Sequence, residues 1–174
     1  MTRSDQLEVA RTLFQEYRTW LAEHREVTDF GDEVLEHGLK YLDQEIAGLP
    51  GEFAPPTGAL FVAFDGREGF GCAALRRQGP SSAEFKRLYI RASYRGGGIG
   101  RRLTRRALKK ARELGYRTVL LDTIPTMVAA AAMYRSMGFR PTRRYWPHPV
   151  QDALFFEYPL VRRAGPRQRT RSRR

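Results

Sequence analysis

The sequence predicts one α/β domain, a central sheet of mixed strand direction with helices packed on it. Three observations carry that prediction. Helical spacing comes first, then an antiparallel hairpin pattern, and then strands and helices alternate. Residues 84–90 (Glu-Phe-Lys-Arg-Leu-Tyr-Ile) put apolar groups on both sides of a strand, as an interior strand requires. Finally, 174 residues with 41% apolar side chains suffice for one core and are too few for two ordinary domains.

Taken in order, residues 5–24 place Leu7, Ala10, Leu13, Phe14, Tyr17 and Leu21 at three- and four-residue spacing, a helix capped by Ser4 or Asp5. A second helix is expected over Asp32–Ala47, with Val34, Leu35, Leu39, Leu42 and Ile46 inward and Gly48 ending it. Residues 49–58 form a Pro/Gly-rich loop. Strands over 59–64 and 70–77, joined by 65–69, read as a hairpin. After the central strand comes a glycine turn, then an amphipathic helix over 101–114 with Leu103, Ala107 and Leu108 on one side and arginines on the other. Residues 118–121 are a short buried strand. Residues 122–125 open a further helix, with Pro125 near its first turn and Gly138 after its end. Residues 139–145 and 154–160 read as a final strand pair.

The composition excludes several classes. No run of ~20 apolar residues exists, so no transmembrane helix is expected. The first residues lead into an amphipathic pattern rather than an apolar leader core, and the lone Cys72 excludes internal disulfides. Together these predict a cytoplasmic protein. Of the net charge of +12, seven units come from arginines in residues 162–174, leaving +5 for the rest. The chain therefore divides into a domain over 1–161 and a basic, disordered tail over 162–174. Without interleaved aromatics the tail reads as a solubilising end, and nucleic acid is not the expected partner. His24, His37 and His148 lack carboxylates at metal-ligand spacing, so no metal is predicted. Cys72, between Gly71 and Ala73, reads as a small core residue.

The glycine turn carries the chemistry. A strand, bare glycines and a helix start offer unpaired N–H groups and a partial positive charge to an anion. Gly100 is followed by Arg101 and Arg102, which breaks the P-loop pattern, and Leu103 stands where a dinucleotide fingerprint needs its third glycine. What fits is Arg95-x-x-Gly98-x-Gly100; a plain glycine-rich connection is the competing reading. The loop resembles the pyrophosphate loop of the GNAT (GCN5-related N-acetyltransferase) superfamily, and Ala130-x-x-x-Tyr134-x-x-x-Gly138-Phe139 is similar to that family's late helix. Residues 49–56 and 85–90 resemble one bacterial subgroup of it. The resemblance covers roughly residues 5–160. It departs at the start, where the usual first strand is missing or vestigial, and at Met127, which stands where an Asn is usual.

The resemblance implies a GNAT fold and an N-acetyltransferase that moves the acetyl group of acetyl-CoA to an amine by direct attack in a ternary complex. Such chemistry needs a base for the ammonium, an oxyanion site and an acid for the thiolate. By resemblance Glu84 is the base, and apolar neighbours such as Phe85 would raise its pKa. The competing reading pairs it with Lys86 or an Arg. Tyr134 is the implied acid. The backbone of Leu88, Tyr89 and Ile90 would pair with the pantetheine arm, with N–H groups near Leu88 meeting the acetyl oxygen. Arg95, Gly96, Gly97, Gly98, Ile99, Gly100 and Arg101 would cradle the pyrophosphate. Met127 and Ala130 are cofactor-side positions on the late helix. Tyr145, Trp146 and His148 are candidates to line the acceptor pocket for a small-molecule or peptide amine, and the resemblance is compatible with a homodimer. Two other classes stay open: a catalytically weak domain that senses coenzyme A, and a nucleic-acid-associated protein acting through its arginine tail.

Overall fold

The protein is described by a computed structural model covering residues 3–24 and 31–160. The proposed tail, 162–174, lies outside the described residues. Two helices, α1 (Arg3–Glu23) and α2 (Asp32–Ala47), precede β1 (Ala59–Asp65), β2 (Glu68–Arg77) and β3 (Ser82–Ile90). Then come α3 (Ile99–Glu113), β4 (Thr118–Thr123), α4 (Val128–Ser136), β5 (Arg140–Pro141) and β6 (Leu154–Pro159). The six strands form one sheet in the order β1-β2-β3-β4-β6-β5. Only β3 and β4 run parallel; every other neighbour is antiparallel. This is the expected mixed α/β sheet. Among the described residues no strand precedes α1.

Helices cover both faces. On one, Leu103, Ala107, Leu108 and Ala111 of α3 and Ala131 and Tyr134 of α4 bury against Ala73, Leu75, Phe85, Val119, Leu121 and Phe156 of the sheet. On the other, Leu13 and Phe14 of α1 and Leu42 and Ile46 of α2 pack with Phe53 on Cys72 and Ala74. Burying a Leu or Phe side chain is worth about 1.5–3 kcal/mol, so these two layers dominate stability. The second helix matches its expected span to the residue, because its apolar spacing and the stop at Gly48 agree. Among the described residues no helix is long and apolar enough to cross a membrane.

Four local expectations are corrected. Ser4 and Asp5 lie inside α1, which is already helical at Arg3, so neither caps it. The hairpin turn is only Gly66-Arg67: Asp65 pairs with Glu68, and Gly66 takes φ 58°, the left-handed value such a tight turn needs. The strand after α3 does not end at Leu121. Asp122 and Thr123 continue it by pairing with Phe155 and Leu154, and the helix starts only at Val128, after a turn in which the Met127 N–H bonds the Ile124 carbonyl at 3.0 Å. Residues 139–145 are not a full strand. Only Arg140 and Pro141 pair with β6 as a strand, and one further bond, from the Thr142 N–H to the Phe155 carbonyl at 2.9 Å, ties the chain to it. The chain then leaves the sheet until Leu154.

Candidate active site

β3 and β4 are hydrogen-bonded neighbours at three positions only: Ser82 with Thr118, Ala83 with Val119 and Glu84 with Leu120. Both strands continue, β3 to Ile90 and β4 to Thr123, without further pairing. The sheet therefore opens into a wedge whose β3 edge has no strand partner from Phe85 onward, the Ile90 carbonyl being met by Arg95 Nε. A free strand edge accepts an extended ligand as an added strand. Tyr89 and Ile90 pair through their other edge with Cys72 and Gly71 of β2, and Leu88 lies beside a bulge.

The bulge shapes β3. Between Cys72 and Ala74 the register shifts, so Ala73 faces two residues of β3, and Arg87 takes φ 59°. Lys86 and Arg87 consequently point to the same side, towards α1 and α2. Lys86 reaches Glu84, and Arg87 makes a two-pronged ion pair with Glu45 of α2, at 2.7 and 3.2 Å. Leu88 and Ile90 pack on the α3 side with Phe85. The Arg87 carbonyl faces the Cys72 thiol at 3.6 Å. That thiol is fully enclosed and burial pushes its pKa up, so it behaves as a core residue.

The glycine loop ends β3 and opens α3. A 3₁₀ turn at Ala92–Tyr94 leads into Gly96 at φ 85° and Gly98 at φ 73°, and Gly98 is the residue before the helix. An added Cβ at Gly96 or Gly98 would meet nothing within 4 Å, so this side of the loop is open. At Gly100 it would meet Met133 Sδ at 3.3 Å, Ile90 Cδ1 at 3.5 Å and Leu88 Cδ2 at 3.6 Å. The helix start is thus locked against β3 and α4, while space is open beside Gly96 and Gly98. The residues fit a diphosphate, held by backbone. The arginine side chains are engaged elsewhere: Arg95 donates to the Ile90 carbonyl at 2.9 Å and lies over Trp20, and Arg101 donates to Ser136 Oγ at 2.8 Å. Ile99 is buried under the loop.

Across the wedge, Tyr134 on α4 is buried, edge-on to Phe85 and Phe139 at 6.4 and 5.5 Å. Burial raises its pKa above that of an ordinary phenol, and the nearby Tyr17 and Asp122 add to the rise. Tyr134 therefore keeps its proton at any working pH. Ala130, one turn earlier, packs against the same core, and Met127 precedes the first turn of α4.

Glu84 is not surrounded by apolar groups. It is 0% exposed and bound by Arg76 Nε at 2.7 Å, Lys86 Nζ at 3.5 Å and the Tyr145 hydroxyl at 2.9 Å. The strand phase explains this: Glu84 points to the face opposite Phe85, and there Arg76 of β2 stands directly across from it. Arg76 in turn reaches Glu52 at 2.6 Å and Tyr41 at 3.1 Å. The apolar surroundings expected of Glu84 are thus corrected and its competing pairing with Lys86 or an Arg is found, with the pair buried; one residue, Asp122, was not singled out at all. Asp122 follows Leu120 by two in β4, so it shares that face, and it gathers the three predicted pocket residues. The Tyr145 hydroxyl oxygen lies 3.1 Å from its Oδ1, Trp146 Nε1 donates to the same oxygen at 3.4 Å, and His148 Nε2 lies 3.4 Å from its Oδ2. The Val150 N–H donates to His148 Nδ1 at 3.0 Å, so in the neutral ring the hydrogen sits on Nε2, facing Asp122. Burial alone would raise the Asp122 pKa, but His148, Lys86 and Tyr145 outweigh it and hold the carboxyl well below the usual range. Burial and the two carboxylates push the Tyr145 phenol up. The missed signal was the alternation in Thr118-Val-Leu-Leu-Asp122, which already put Asp122 in phase with Leu120. Among the described residues no group of three His, Cys, Asp or Glu is arranged to hold a metal.

Comparison with known proteins follows the same features. The acetyltransferase (GNAT) domain matches residues 56–141, from the loop before β1 to β5. An uncharacterized N-acetyltransferase of Schizosaccharomyces pombe is 34% identical over 116 residues, 66% of this chain and 71% of its own length. An IAA acetyltransferase of Azospirillum brasilense is 38% identical over 95 residues, 53% of this chain, and this chain spans 60% of it. In fold, the chain is similar to a GNAT acetyltransferase of Staphylococcus aureus, with a TM-score of 0.70 at 16% identity over 92% of this chain and 96% of that one. It is also similar to an Elizabethkingia anophelis GNAT acetyltransferase with acetyl-CoA bound, at 0.55 and 19% over 69% and 82%. Splayed strands, a glycine loop at a helix start and a tyrosine-bearing late helix all lie within the matched span, and the chain belongs to the GNAT superfamily of N-acetyltransferases.

Proposed function

We propose that the chain transfers the acetyl group of acetyl-CoA to a primary amine of a small molecule or peptide, by direct attack with both substrates bound. The wedge between β3 and β4 carries this reading, because it opens beside the glycine loop at one end and beside Glu84, Asp122 and Tyr134 at the other. The N–H groups of residues 96–100 would hold the diphosphate, and the free edge at Leu88, Tyr89 and Ile90 would take the pantetheine arm. Acetyl-CoA supplies an activated acyl group and a thiol leaving group. The β3 backbone near Leu88 would stabilise the developing oxyanion. Tyr134 would donate to the departing sulfur. A thiol has an ordinary pKa near ~8.5. Full proton transfer from a phenol with a raised pKa is uphill, so Tyr134 hydrogen-bonds the departing thiolate and keeps its own proton, and the second proton lost by the acetylated nitrogen ends on the sulfur. Glu84 takes the first amine proton in this scheme. Residues 1–161 are the catalytic domain, and a cytoplasmic location belongs to the same reading.

Thiol release from acetyl-CoA against a panel of primary amines tests the proposal. Turnover with at least one amine is expected, and coenzyme A binding without any turnover would favour a sensing domain. Tyr134→Phe should lower kcat by about 100-fold while leaving acetyl-CoA affinity within a few-fold. An unchanged kcat removes the donor role. Because Tyr134 stays protonated throughout, the variant's pH profile should keep the shape of the parent's.

A further inference from the structure

We propose that Tyr145 and Asp122 form the route by which the acceptor's proton reaches Glu84, with Asp122 as the outer carboxylate, Tyr145 as the bridge and Glu84 as the store. This rests on the amine-acetylation reading above and adds the path that reading lacks. Glu84 is 0% exposed, so no substrate amine touches it. Of its three partners, the Arg76 guanidinium and the Lys86 ammonium only donate. The Tyr145 hydroxyl alone can donate and accept. Its oxygen lies 2.9 Å from Glu84 Oε1 and 3.1 Å from Asp122 Oδ1. One hydroxyl hydrogen cannot serve two ionised carboxylates. The other donors to the two carboxylates are Arg76, Lys86, Trp146 and His148, so the hydroxyl hydrogen serves one of them at a time and a proton arriving at Asp122 displaces it towards Glu84.

Asp122 is the end that a substrate can approach, being 16% exposed where Glu84 is sealed. His148, Trp146 and Lys86 face it, Tyr17 of α1 lies nearby, and Arg76 and Lys86 flank Glu84. Phe155 holds the Tyr145 ring edge-on at 5.2 Å. In the transfer, an N–H bond of the ammonium breaks and its proton passes through Asp122 Oδ1 without resting there, since the neighbours of that carboxyl hold it ionised. That proton moves on to the Tyr145 oxygen as the phenol's own proton bonds to Glu84 Oε1. Asp122 remains an anion, Tyr145 now donates to it, and Glu84 donates to Tyr145. After acetylation the proton returns by the same steps to solvent.

The test uses the full chain with acetyl-CoA and two primary amines of similar size: an alkylamine, protonated at neutral pH, and an O-alkylhydroxylamine, neutral there. Tyr145→Phe keeps the ring on Phe155 and removes only the bridge. It should cut kcat/KM about 100-fold more for the alkylamine than for the alkoxyamine, and recover alkylamine turnover as rising pH deprotonates the amine. Asp122→Asn should give the same selective loss, and it tests the route should Tyr145→Phe not fold. Equal losses with both amines, or no loss with either, would overturn the relay while leaving acetylation intact. A wild-type protein that binds acetyl-CoA by calorimetry but releases no thiol with either amine would overturn the function and the relay together.

Discussion

The two faces of β3 obey different rules. On the side of α3 and α4, Phe85, Leu88 and Ile90 meet Ile99, Leu103 and Tyr134 in a continuous apolar layer. On the side of α1 and α2, Glu84, Lys86 and Arg87 sit in a web of ion pairs with Arg76, Asp122 and Glu45. One strand thus presents a dry wall to the helix behind the glycine loop and a charged wall to the side of α1 and α2. The bulge at Arg87 makes this possible. It puts two successive cations on one face and returns the next residues to alternation, which a regular strand cannot do.

Removing apolar bulk should break the comparison most strongly. Phe85→Ala empties a site between β3 and Tyr134 and should cost about 3–5 kcal/mol, measured by urea unfolding. A loss below about 1 kcal/mol would mean that the dry face is not what holds the wedge together. Next in size is the bulge. Arg87→Ala leaves Glu45 nearly buried without its cation, a loss of up to about 3 kcal/mol. Arg87→Gly loses the same ion pair but accepts the positive φ, so it should be the more stable of the two by about 1–2 kcal/mol. Equal stabilities would contradict a strained Arg87.

Gly97 separates charge from backbone strain in the loop, since its φ is ordinary and an added Cβ meets only the Tyr94 carbonyl, at 4.0 Å. Gly97→Asp should weaken acetyl-CoA binding at least tenfold by calorimetry, about 1.4 kcal/mol, with the melting temperature little changed. Normal binding would remove the phosphate role of the loop. The smallest effect concerns pH. The folded pKa of Asp122 is depressed, so its contribution to stability is complete above the unfolded value near ~3.9 and is lost as pH falls through the folded one. Asp122→Asn should flatten that acid limb of a stability–pH curve and leave the neutral region nearly level. An acid limb identical to the parent's would show that the carboxyl is not held ionised by its neighbours.

What could be read along the chain was whatever repeats locally. Spacing found α2 to the residue, and the chemistry of bare glycines before a helix marked the loop. The likeness of residues 130–139 to the family pointed to Tyr134, which the fold buries against Phe85 and Phe139. The charged side of the site was less legible. Glu84 was singled out with two alternative surroundings, of which the pairing with Lys86 and an Arg holds and the apolar one does not. Tyr145, Trp146 and His148 were named without the carboxylate that gathers them, because Asp122 was read as the start of a helix.

The amino-acid order by itself determined the periodic elements, the glycine bend and the family, since each depends on neighbours a few positions apart. Only the folded chain decided that β3 and β4 part after Glu84, that Arg87 bulges, and that residues 142–153 lay a tyrosine between two carboxylates. Those contacts join residues 23 and 61 positions apart, as Tyr145 does with Asp122 and Glu84. Their geometry comes from sheet register and packing, which no local pattern encodes.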